Sequence, residues 1–462
     1  HLKILSMKKL LLLLFLASFS LQAQYKIKGE LNPPKNYNWI ILYKIEGARQ
    51  VFIKSETLKK SSKIINGKKT NVSNFEFTLP ANAKVGAYRV SYKTEGAGFA
   101  DFLFNKENIN FTFNPEKAEE SIRFTTSKEN KMYQEYINTV AAQQYKTDSL
   151  QIAYIKNPQP KTVTLYKSQL LKIAALQKKY IAKSNGLMVQ NFIKATNRYN
   201  SPVIAKNPQE YLKSINDHFF DTIDFDNTAL YNSAFIVDRI TDYVFYMNYS
   251  DDAKKQTEIH KKAVATVLKK ATNLTFKKDI TEFLITQFVN ARKIDFADYL
   301  MKTYYLKLPK ATTNSEFIDN FNQKTVVSIG RTAPEITWKE NGKNYKLSTL
   351  NEAQNYILVF WSTGCSHCLR EIPVLYNHTK NSKNTKVIAF SLENNDKEWK
   401  KHKAKYPKWH NVIGLKKWEN PIARTYQIYS TPTYIILDKN KKIIAKPETL
   451  SEVRKIVDYL DQ

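Results

Sequence analysis

The sequence predicts a multidomain protein in which an N-terminal antiparallel β domain, a central α-helical region and a C-terminal α/β domain follow one another. Short runs of alternating apolar and polar residues fill the first part of the chain. Apolar residues recur every three or four positions in the middle, and strand-like and helix-like runs alternate at the end. At 462 residues the chain is also too long for one compact core.

The first residues have the layout of a secretory signal peptide. From Met7 the chain reads MKKLLLLLFLASFSLQAQ, with two lysines, an apolar run, and small and polar residues around Ala23. The apolar run is short for a membrane span, although a core or membrane helix is the alternative. We therefore predict that residues 1–23 are a leader, with His1–Ser6 non-native, plus a signal peptide. The mature protein is expected to be soluble and periplasmic, without a lipid-bearing cysteine.

Residues 24–126 are predicted to form a β-rich, sandwich-like domain. Runs such as YKIKGEL, WIILYKI, FEFTL and INFTF alternate apolar and polar residues between Asn, Gly and Pro. This pattern is typical of antiparallel strands joined by turns. None of the polar residues in this part has the spacing of a catalytic site.

Residues 127–310 are predicted to be α-helical. In TLYKSQLLKIAALQKKYIAK apolar residues recur at helical spacing, and the following Asn185-Gly186 is expected to end that helix. The aromatic residues on such helices are expected to pack in a core, with a binding groove as the alternative. The polar stretch at 311–324 is predicted to be a linker.

Residues 325–462 are predicted to form the α/β domain. A buried strand, YILVFW, is followed by a helix that starts near the cysteines, and then by TKVIAFSL and a helix around KEWKKHKAKY. The strands PTYIILD and KIIAKP and a closing helix, ETLSEVRKIVDYLD, complete the domain. Alternating strands and helices with a final hairpin indicate a sheet covered on both faces.

The charge of the chain does not indicate a nucleic-acid partner. The formal net charge is +30, but only 10 of the 72 basic residues are arginine. The lysines are scattered over the whole length, whereas a track for phosphates favours clustered arginine. We therefore expect a solvated basic surface, with weak attraction to acidic envelope surfaces as the alternative.

The only two cysteines, Cys365 and Cys368, lie in WSTGCSHCLREIP at 361–373. Disulfides that staple an exported protein would involve several dispersed cysteines, and the loop closed here is too small to stabilise much. Gly364 after a buried strand places Cys365 at a helix N-terminus, where the dipole favours a thiolate. Redox exchange is the favoured chemistry, since Cys365 could attack a disulfide and Cys368 could resolve it. Half of a metal site and an inert disulfide are the alternatives.

Three further positions could support such chemistry. His367 is within reach of the Cys365 sulfur, where a protonated imidazole would stabilise the thiolate. Glu371 lies three residues after Cys368 on nearly the same helix face and could exchange protons with it. An exposed glutamate without a role is the alternative. Thr431-Pro432 precedes a buried strand, which the proline could simply start; a cis bond would free the Thr431 backbone to pair with a peptide.

The last 135 or so residues resemble the TlpA/ResA-like branch of exported thiol–disulfide oxidoreductases, which have a thioredoxin fold. The resemblance rests on APEI, ILVFWSTGCSHC, the Cys-x-x-Cys-x-x-Glu-x-Pro run and STPTYIILD. The residues ahead of this domain look similar to extensions of unknown function in Bacteroidetes envelope proteins, which implies no activity.

The resemblance implies roles for individual residues. It implies that Cys365 is the nucleophile and Cys368 the resolving thiol, that Pro432 is a cis-proline facing the disulfide with Thr431 beside it, and that Glu371 is the family's glutamate. Trp361 matches the family's strand-end tryptophan, and with His367 it is expected to tune the redox properties of the cysteine pair.

One departure from the family concerns the proton carrier. Val359 stands where thioredoxin has a buried aspartate, so Glu371 is the favoured proton carrier. A second departure concerns the direction of electron flow. A histidine before the second cysteine is typical of strongly oxidising enzymes, so His367 leaves that direction open.

The favoured function is reduction of disulfides in periplasmic client proteins, with recharging by a membrane thiol–disulfide electron donor. We expect no metal, no cofactor beyond the redox-active Cys365–Cys368 disulfide, no nucleic-acid partner and no stable membrane insertion. A disulfide oxidant or isomerase, or a ligand- or metal-binding adaptor with a non-catalytic domain, is the alternative. A thiol peroxidase is disfavoured because the Pro-x-x-x-Thr-x-x-Cys context is missing around Cys365.

Overall fold

The computed structural model describes residues 24–93 and 98–462. The predicted signal peptide lies outside these residues. The chain divides into two compact units, one that ends at Ile280 and one that spans Thr281–Gln462. The predicted boundaries after residues 126 and 310 do not coincide with this division and remain predictions.

The first unit begins with two β-sheets. Their strands are β1 (Tyr25–Leu31), β2 (Trp39–Glu46), β3 (Arg49–Thr57), β4 (Lys59–Ile65), β5 (Lys68–Leu79), β6 (Gly86–Ser91), β7 (Phe99–Phe104), β8 (Ile109–Phe113) and β9 (Arg123–Phe124). One sheet has the order β4-β5-β1-β8-β9 and the other β3-β2-β6-β7. Buried residues of both sheets, among them Phe77 and Leu42, share one hydrophobic core. The predicted β class of the N-terminal part is thereby confirmed.

One strand pair departs from the antiparallel prediction. β1 pairs with β8 in parallel, with Ile27 opposite Ile109. Parallel neighbours need a long connection between them, and here six strands intervene in the sequence. The alternation of residue types predicts strands but not the direction in which distant strands pair.

The central region is helical, as predicted. Its helices in the first unit are Lys128–Lys156, Pro160–Lys183, Val189–Ala195, Pro208–Asp217, Thr228–Tyr231, Phe235–Thr241 and Ala253–Lys270, after a short helix at Ala118–Ser121 and with a π-helical segment at Asp242–Met247. The second of these ends just before Asn185-Gly186, where Gly186 has a φ of +79°. Tyr136 is fully buried and its hydroxyl donates to Gln177 at 2.7 Å. At least this aromatic residue belongs to a packed core.

The segment predicted to be a linker is largely a helix. Helices Leu274–Asn290, Ile294–Thr303 and Ser315–Thr325 precede the C-terminal sheet. Asn314 caps the last of them by accepting hydrogen bonds from the backbone N–H groups of Glu316 and Phe317. The polar composition of residues 311–324 suggested a linker, but the cap and one amphipathic face favour a helix. Among the described residues no helix is both long and apolar enough to cross a membrane.

The second unit contains the predicted α/β domain. Its strands are β10 (Thr337–Glu340), β11 (Lys343–Lys346), β12 (Asn355–Trp361), β13 (Thr385–Glu393), β14 (His410–Leu415), β15 (Thr433–Asp438) and β16 (Ile443–Ala445). Its helices are Ser366–Thr379, Lys397–Lys403, Pro421–Thr425 and Leu450–Leu460. β10 and β11 form a hairpin, and the other five strands form one sheet in the order β14-β13-β12-β15-β16.

Helices and loops cover both faces of this sheet, and β12 lies at its centre. β12 is parallel to β13 and antiparallel to β15, and all seven of its residues are buried. Val359 faces a core formed with Ile372 and Val457, whereas Phe360 faces the opposite core with Tyr426. Because β12 is fixed on both faces, its carboxyl end is a rigid base for the residues that follow it.

Candidate active site

The two cysteines form a disulfide at the start of the cysteine helix, the name we give to Ser366–Thr379. The turn at 362–364 connects the end of β12 to Cys365, which is the N-cap residue. The Cys365 sulfur accepts a hydrogen bond of 3.1 Å from the backbone N–H of Cys368, and the two Cα atoms are 5.2 Å apart. Cys365 is partly exposed, whereas Cys368 is completely buried. Only Cys365 is therefore accessible to a large substrate.

Thr431 and Pro432 lie next to the disulfide. The peptide bond between them is cis. The Thr431 carbonyl oxygen is 3.4 Å from the Cys365 sulfur, within reach of a reduced thiol as a donor. The sequence could not distinguish a strand-starting proline from a cis-proline, and here the backbone at Thr431 is brought to the accessible sulfur.

Glu371 is held between two polar side chains. One carboxylate oxygen is 2.8 Å from His367 Nε2, and the other accepts a hydrogen bond of 2.6 Å from the Tyr434 hydroxyl. We expected the His367 imidazole to stabilise the Cys365 thiolate. The structure places it against Glu371 instead, so a role in tuning Cys365 remains a prediction.

Sequence reasoning missed Tyr434 as a site residue because it appeared only as part of an apolar strand. It is 1% exposed and lies opposite Val359 in the β12–β15 pair. Burial and the adjacent Glu371 carboxylate raise the pKa of Tyr434, so its hydroxyl keeps its proton and donates. A tyrosine two residues after Pro432 was the available signal, but its partner depends on strand register.

Sequence reasoning also missed a buried carboxylate, Glu393, behind the turn that carries Cys365. Glu393 accepts hydrogen bonds from the Thr363 backbone N–H at 2.7 Å, the Thr363 hydroxyl at 2.9 Å and the Ser391 hydroxyl at 2.6 Å. Both carboxylate oxygens act as acceptors, and the residue is 6% exposed. Glu393 thus fixes the position of the turn. The signal was a charged residue at the end of the apolar run TKVIAFSL.

Trp361 is the last residue of β12. It is fully buried and belongs to the same core cluster as Cys368. Its ring lies edge-on to His402 at 6.2 Å, and burial, followed by the charge of Lys405, lowers the pKa of His402. Within the described chain neither Trp361 Nε1 nor His402 Nδ1 has a hydrogen-bond partner. A role of Trp361 in tuning the redox properties of the disulfide stays a prediction.

The family model and the curated relatives match the C-terminal part of this chain. Residues 354–443 match the model of a thioredoxin-like family. The thiol–disulfide oxidoreductase ResA of Geobacillus thermodenitrificans is 23% identical over 168 residues, which are 35% of this chain and 95% of that protein. ResA of Geobacillus kaustophilus is 24% identical over 169 residues, with the same coverage.

Solved structures match between about a third and more than half of this chain. A thiol:disulfide interchange protein from a Bacteroides species is 24% identical, covers 29% of this chain and 92% of its own, and has a TM-score of 0.27. A thioredoxin-like protein from Bacteroides caccae is 17% identical and covers 57% of this chain and 98% of its own, with a TM-score of 0.26. From the family model and the ResA relatives, the C-terminal part of this chain is a thioredoxin-like domain, and the enzyme class is that of the thioredoxin-like thiol–disulfide oxidoreductases.

Proposed function

We propose that this protein is exported to the periplasm and reduces disulfides in client proteins there. The observation that carries the proposal is the asymmetry of the cysteine pair. Cys365 is partly exposed at a helix N-cap, and Cys368 is completely buried one turn further on. One thiol is available to a client, and the other can reach only its neighbour.

The reduced pair would act in two displacements. The Cys365 thiolate, stabilised by the backbone N–H groups at the helix N-terminus, attacks one sulfur of a client disulfide. A mixed disulfide forms and the other client sulfur leaves as a thiolate. Cys368 then attacks Cys365, and the second client sulfur leaves. The client gains two electrons, and the enzyme ends with the Cys365–Cys368 disulfide that the structure contains.

Residues around the disulfide would position the client and move its protons. The Thr431 backbone lies against Cys365 and could pair with an extended client segment, with Pro432 packed beside it. Glu371 would take the proton of Cys368, the role that the resemblance to the ResA-like enzymes implies. The cysteine pair would need no other cofactor.

The remaining parts of the proposal concern partners and place. The leader at residues 1–23 would direct export, and a membrane thiol–disulfide electron donor would return the pair to the reduced state. The β-rich and helical regions ahead of the α/β domain would recruit or orient clients. These assignments rest on the sequence pattern and on the need for a reductant outside the cytoplasm.

Two serine variants test the mechanism. Cys365→Ser should abolish reduction of insulin by a thiol donor, because no accessible sulfur remains. Cys368→Ser should instead accumulate a mixed disulfide, because the resolving thiol is lost while the attacking thiol is intact. Non-reducing electrophoresis with a disulfide-containing client shows the covalent adduct. Full activity of Cys365→Ser would contradict the proposal.

The reduction potential of the pair tests the direction of electron flow. Equilibration of the full chain in defined thiol buffers gives this value. A potential near or below roughly −230 mV, on the thioredoxin side of the known scale, supports a reductant. A potential above about −180 mV would indicate an oxidant or isomerase instead.

A further inference from the structure

Three polar side chains form a continuous path from the protein core to solvent beside the disulfide. The Tyr434 hydroxyl donates to one Glu371 oxygen at 2.6 Å, and His367 Nε2 is 2.8 Å from the other. Tyr434 is 1% exposed, and the side chains of Glu371 and His367 are 20% and 58% exposed. Exposure thus increases at each step along the path.

The resolving thiol is buried in the same core as the inner end of this path. Cys368 has no exposed surface and shares its core cluster with Tyr434. Water therefore cannot take its proton directly. Glu371 follows it by three residues on the cysteine helix, the spacing at which two side chains share a helix face. Because the Glu371 side chain is 20% exposed, it can connect Cys368 to solvent.

We propose that Tyr434 is a positioning residue that holds Glu371 ready to accept the proton of Cys368, and that His367 carries this proton from Glu371 to solvent. The inference rests on the proposed function, because it concerns the second displacement of that mechanism. Neither the bond from Tyr434 nor the direction of the imidazole follows from the sequence motifs.

Tyr434 suits the positioning role because its buried hydroxyl donates to the Glu371 carboxylate. Its raised pKa keeps the hydroxyl protonated. The bond occupies one Glu371 oxygen and fixes the plane of the carboxylate, while the other oxygen faces His367. A phenylalanine at this position would keep the ring in the core but would let the carboxylate rotate.

The proposed step is balanced in atoms and charge. In the mixed disulfide the Cys368 thiol gives its proton to Glu371, and its sulfur attacks the Cys365 sulfur. The bond between Cys365 and the client breaks, the Cys365–Cys368 bond forms, and the client sulfur leaves as a thiolate. The proton then passes from Glu371 to the His367 imidazole and from there to water or buffer, which restores the carboxylate.

This role differs in its consequences from the thiolate-tuning role expected of His367. A histidine that tunes Cys365 would change the first displacement, in which Cys365 attacks. A histidine that carries the proton of Cys368 would change only the second. An experiment that times the two displacements separately therefore distinguishes the two roles.

The reduced full-length protein is mixed with an excess of dithiobis-nitrobenzoate in stopped flow. Attack by Cys365 releases one coloured thionitrobenzoate, and resolution by Cys368 releases a second. The two phases of absorbance report the two displacements. Wild-type protein without a second release would contradict the proposed function itself, whereas normal phases in every variant would contradict only the present inference.

The variants should slow the second phase selectively. Loss of a general base slows proton transfer by two to four orders of magnitude, so we expect about 100-fold for Glu371→Gln and about 10-fold each for Tyr434→Phe and His367→Gln. Added imidazole should restore the second phase of His367→Gln by carrying the proton. A purely structural role would not respond to imidazole.

Matched controls exist in the same domain. Tyr426→Phe removes a buried hydroxyl that donates to the Pro334 carbonyl at 2.5 Å, on the other face of the sheet. His378→Gln removes a histidine on the cysteine helix whose Nε2 is 2.9 Å from Asp458. Both should leave the two phases unchanged.

Two outcomes would overturn the inference. One is a changed first phase and an unchanged second phase in His367→Gln, which would assign this residue to Cys365. The other is a second phase that slows in His367→Gln but is not restored by imidazole. If Tyr434→Phe fails to fold, the exposed position of His367 keeps the test valid.

Discussion

Two histidine–glutamate pairs in the C-terminal domain have the same separation but opposite surroundings. His367 and Glu371 on the cysteine helix are 2.8 Å apart, as are His410 on the edge strand β14 and Glu340 on β10. The His367 side chain is 58% exposed, whereas that of His410 is 8% exposed. Distance alone does not assign a role. Exposure allows the first pair to exchange protons with solvent, and burial commits the second pair to holding the fold together.

The buried pair is part of a wider cluster. The other ring nitrogen of His410 is 3.0 Å from Glu352, and the backbone N–H of Asn411 donates to Glu340 at 3.0 Å. The rings of Trp338 and Tyr345 lie 5.3 and 5.0 Å from the imidazole. These contacts attach the β10–β11 hairpin to the edge of the sheet.

The largest expected effect comes from another carboxylate, Glu393, which is buried and accepts hydrogen bonds from Thr363 and Ser391. If burial determines how much a carboxylate contributes to stability, Glu393→Ala should lower the free energy of unfolding by about 3 kcal/mol. The reason is that the Thr363 N–H and hydroxyl lose their acceptor. Urea unfolding followed by tryptophan fluorescence measures this, since five of the six tryptophans lie in the second unit. Glu398→Ala, which removes an exposed partner of Lys401, is the control and should leave the unfolding midpoint unchanged.

A smaller effect is expected at the buried pair. His410→Gln should lower the free energy of unfolding by about 2 kcal/mol near pH 6, because Glu340 loses a charged hydrogen-bond donor in a buried setting. The same urea titration gives the value. A loss of unfolding free energy no greater than that of His367→Gln would show that burial does not determine how much each pair contributes to stability.

The pH dependence of stability sharpens the comparison further. Burial lowers the pKa of His410, but the hydrogen bonds and charges of Glu340 and Glu352 outweigh it, and the net pKa is raised. A raised pKa contributes stability that is complete below the ordinary value of about 6.5 and is lost as pH rises through the folded-state value. Wild-type stability should therefore fall, relative to His410→Gln, as pH rises above about 6.5. Parallel curves for the two proteins would contradict this expectation.

The smallest effect on stability is expected at the exposed pair. His367→Gln should change the free energy of unfolding by less than about 0.5 kcal/mol, as is usual for exposed ion pairs. Equilibrium unfolding in low and high salt measures it. A loss above 1.5 kcal/mol, on the scale of a buried charged bond, would mean that the pair supports the helix rather than proton transfer.

The sequence predicted the parts of the site that follow from local patterns. The buried strand, the glycine turn and the cysteine spacing placed Cys365 at a helix N-terminus, and the structure has it as the N-cap. Tyr434 and Glu393 were missed because their partners are 63 and 30 residues away in the chain. Which residue lies opposite which depends on strand register, and strand register depends on the whole sheet. The parallel pairing of β1 with β8 was missed for the same reason.

The partner of His367 was missed for a different reason. A side chain at a helix N-terminus has several rotamers, and the sequence offers both the sulfur two residues before it and the carboxylate four residues after it. Helix spacing brings residues four apart together on one face, and that pairing is the one observed. The four-residue spacing favours the contact with Glu371, whereas the Cys-x-x-Cys motif suggests a contact with Cys365.

The scarcity of cysteine has a practical consequence. With only two thiols in 462 residues, a single intramolecular pairing is possible, so oxidative refolding cannot scramble the protein. Any thiol-specific probe attached to the reduced chain is also confined to the Cys-x-x-Cys segment. Because Cys365 is partly exposed and Cys368 is fully buried, a bulky maleimide will label the first at once and the second only when the domain opens. Comparing the labelling rates of Cys365 and Cys368 therefore measures how often the domain opens, without engineered cysteines.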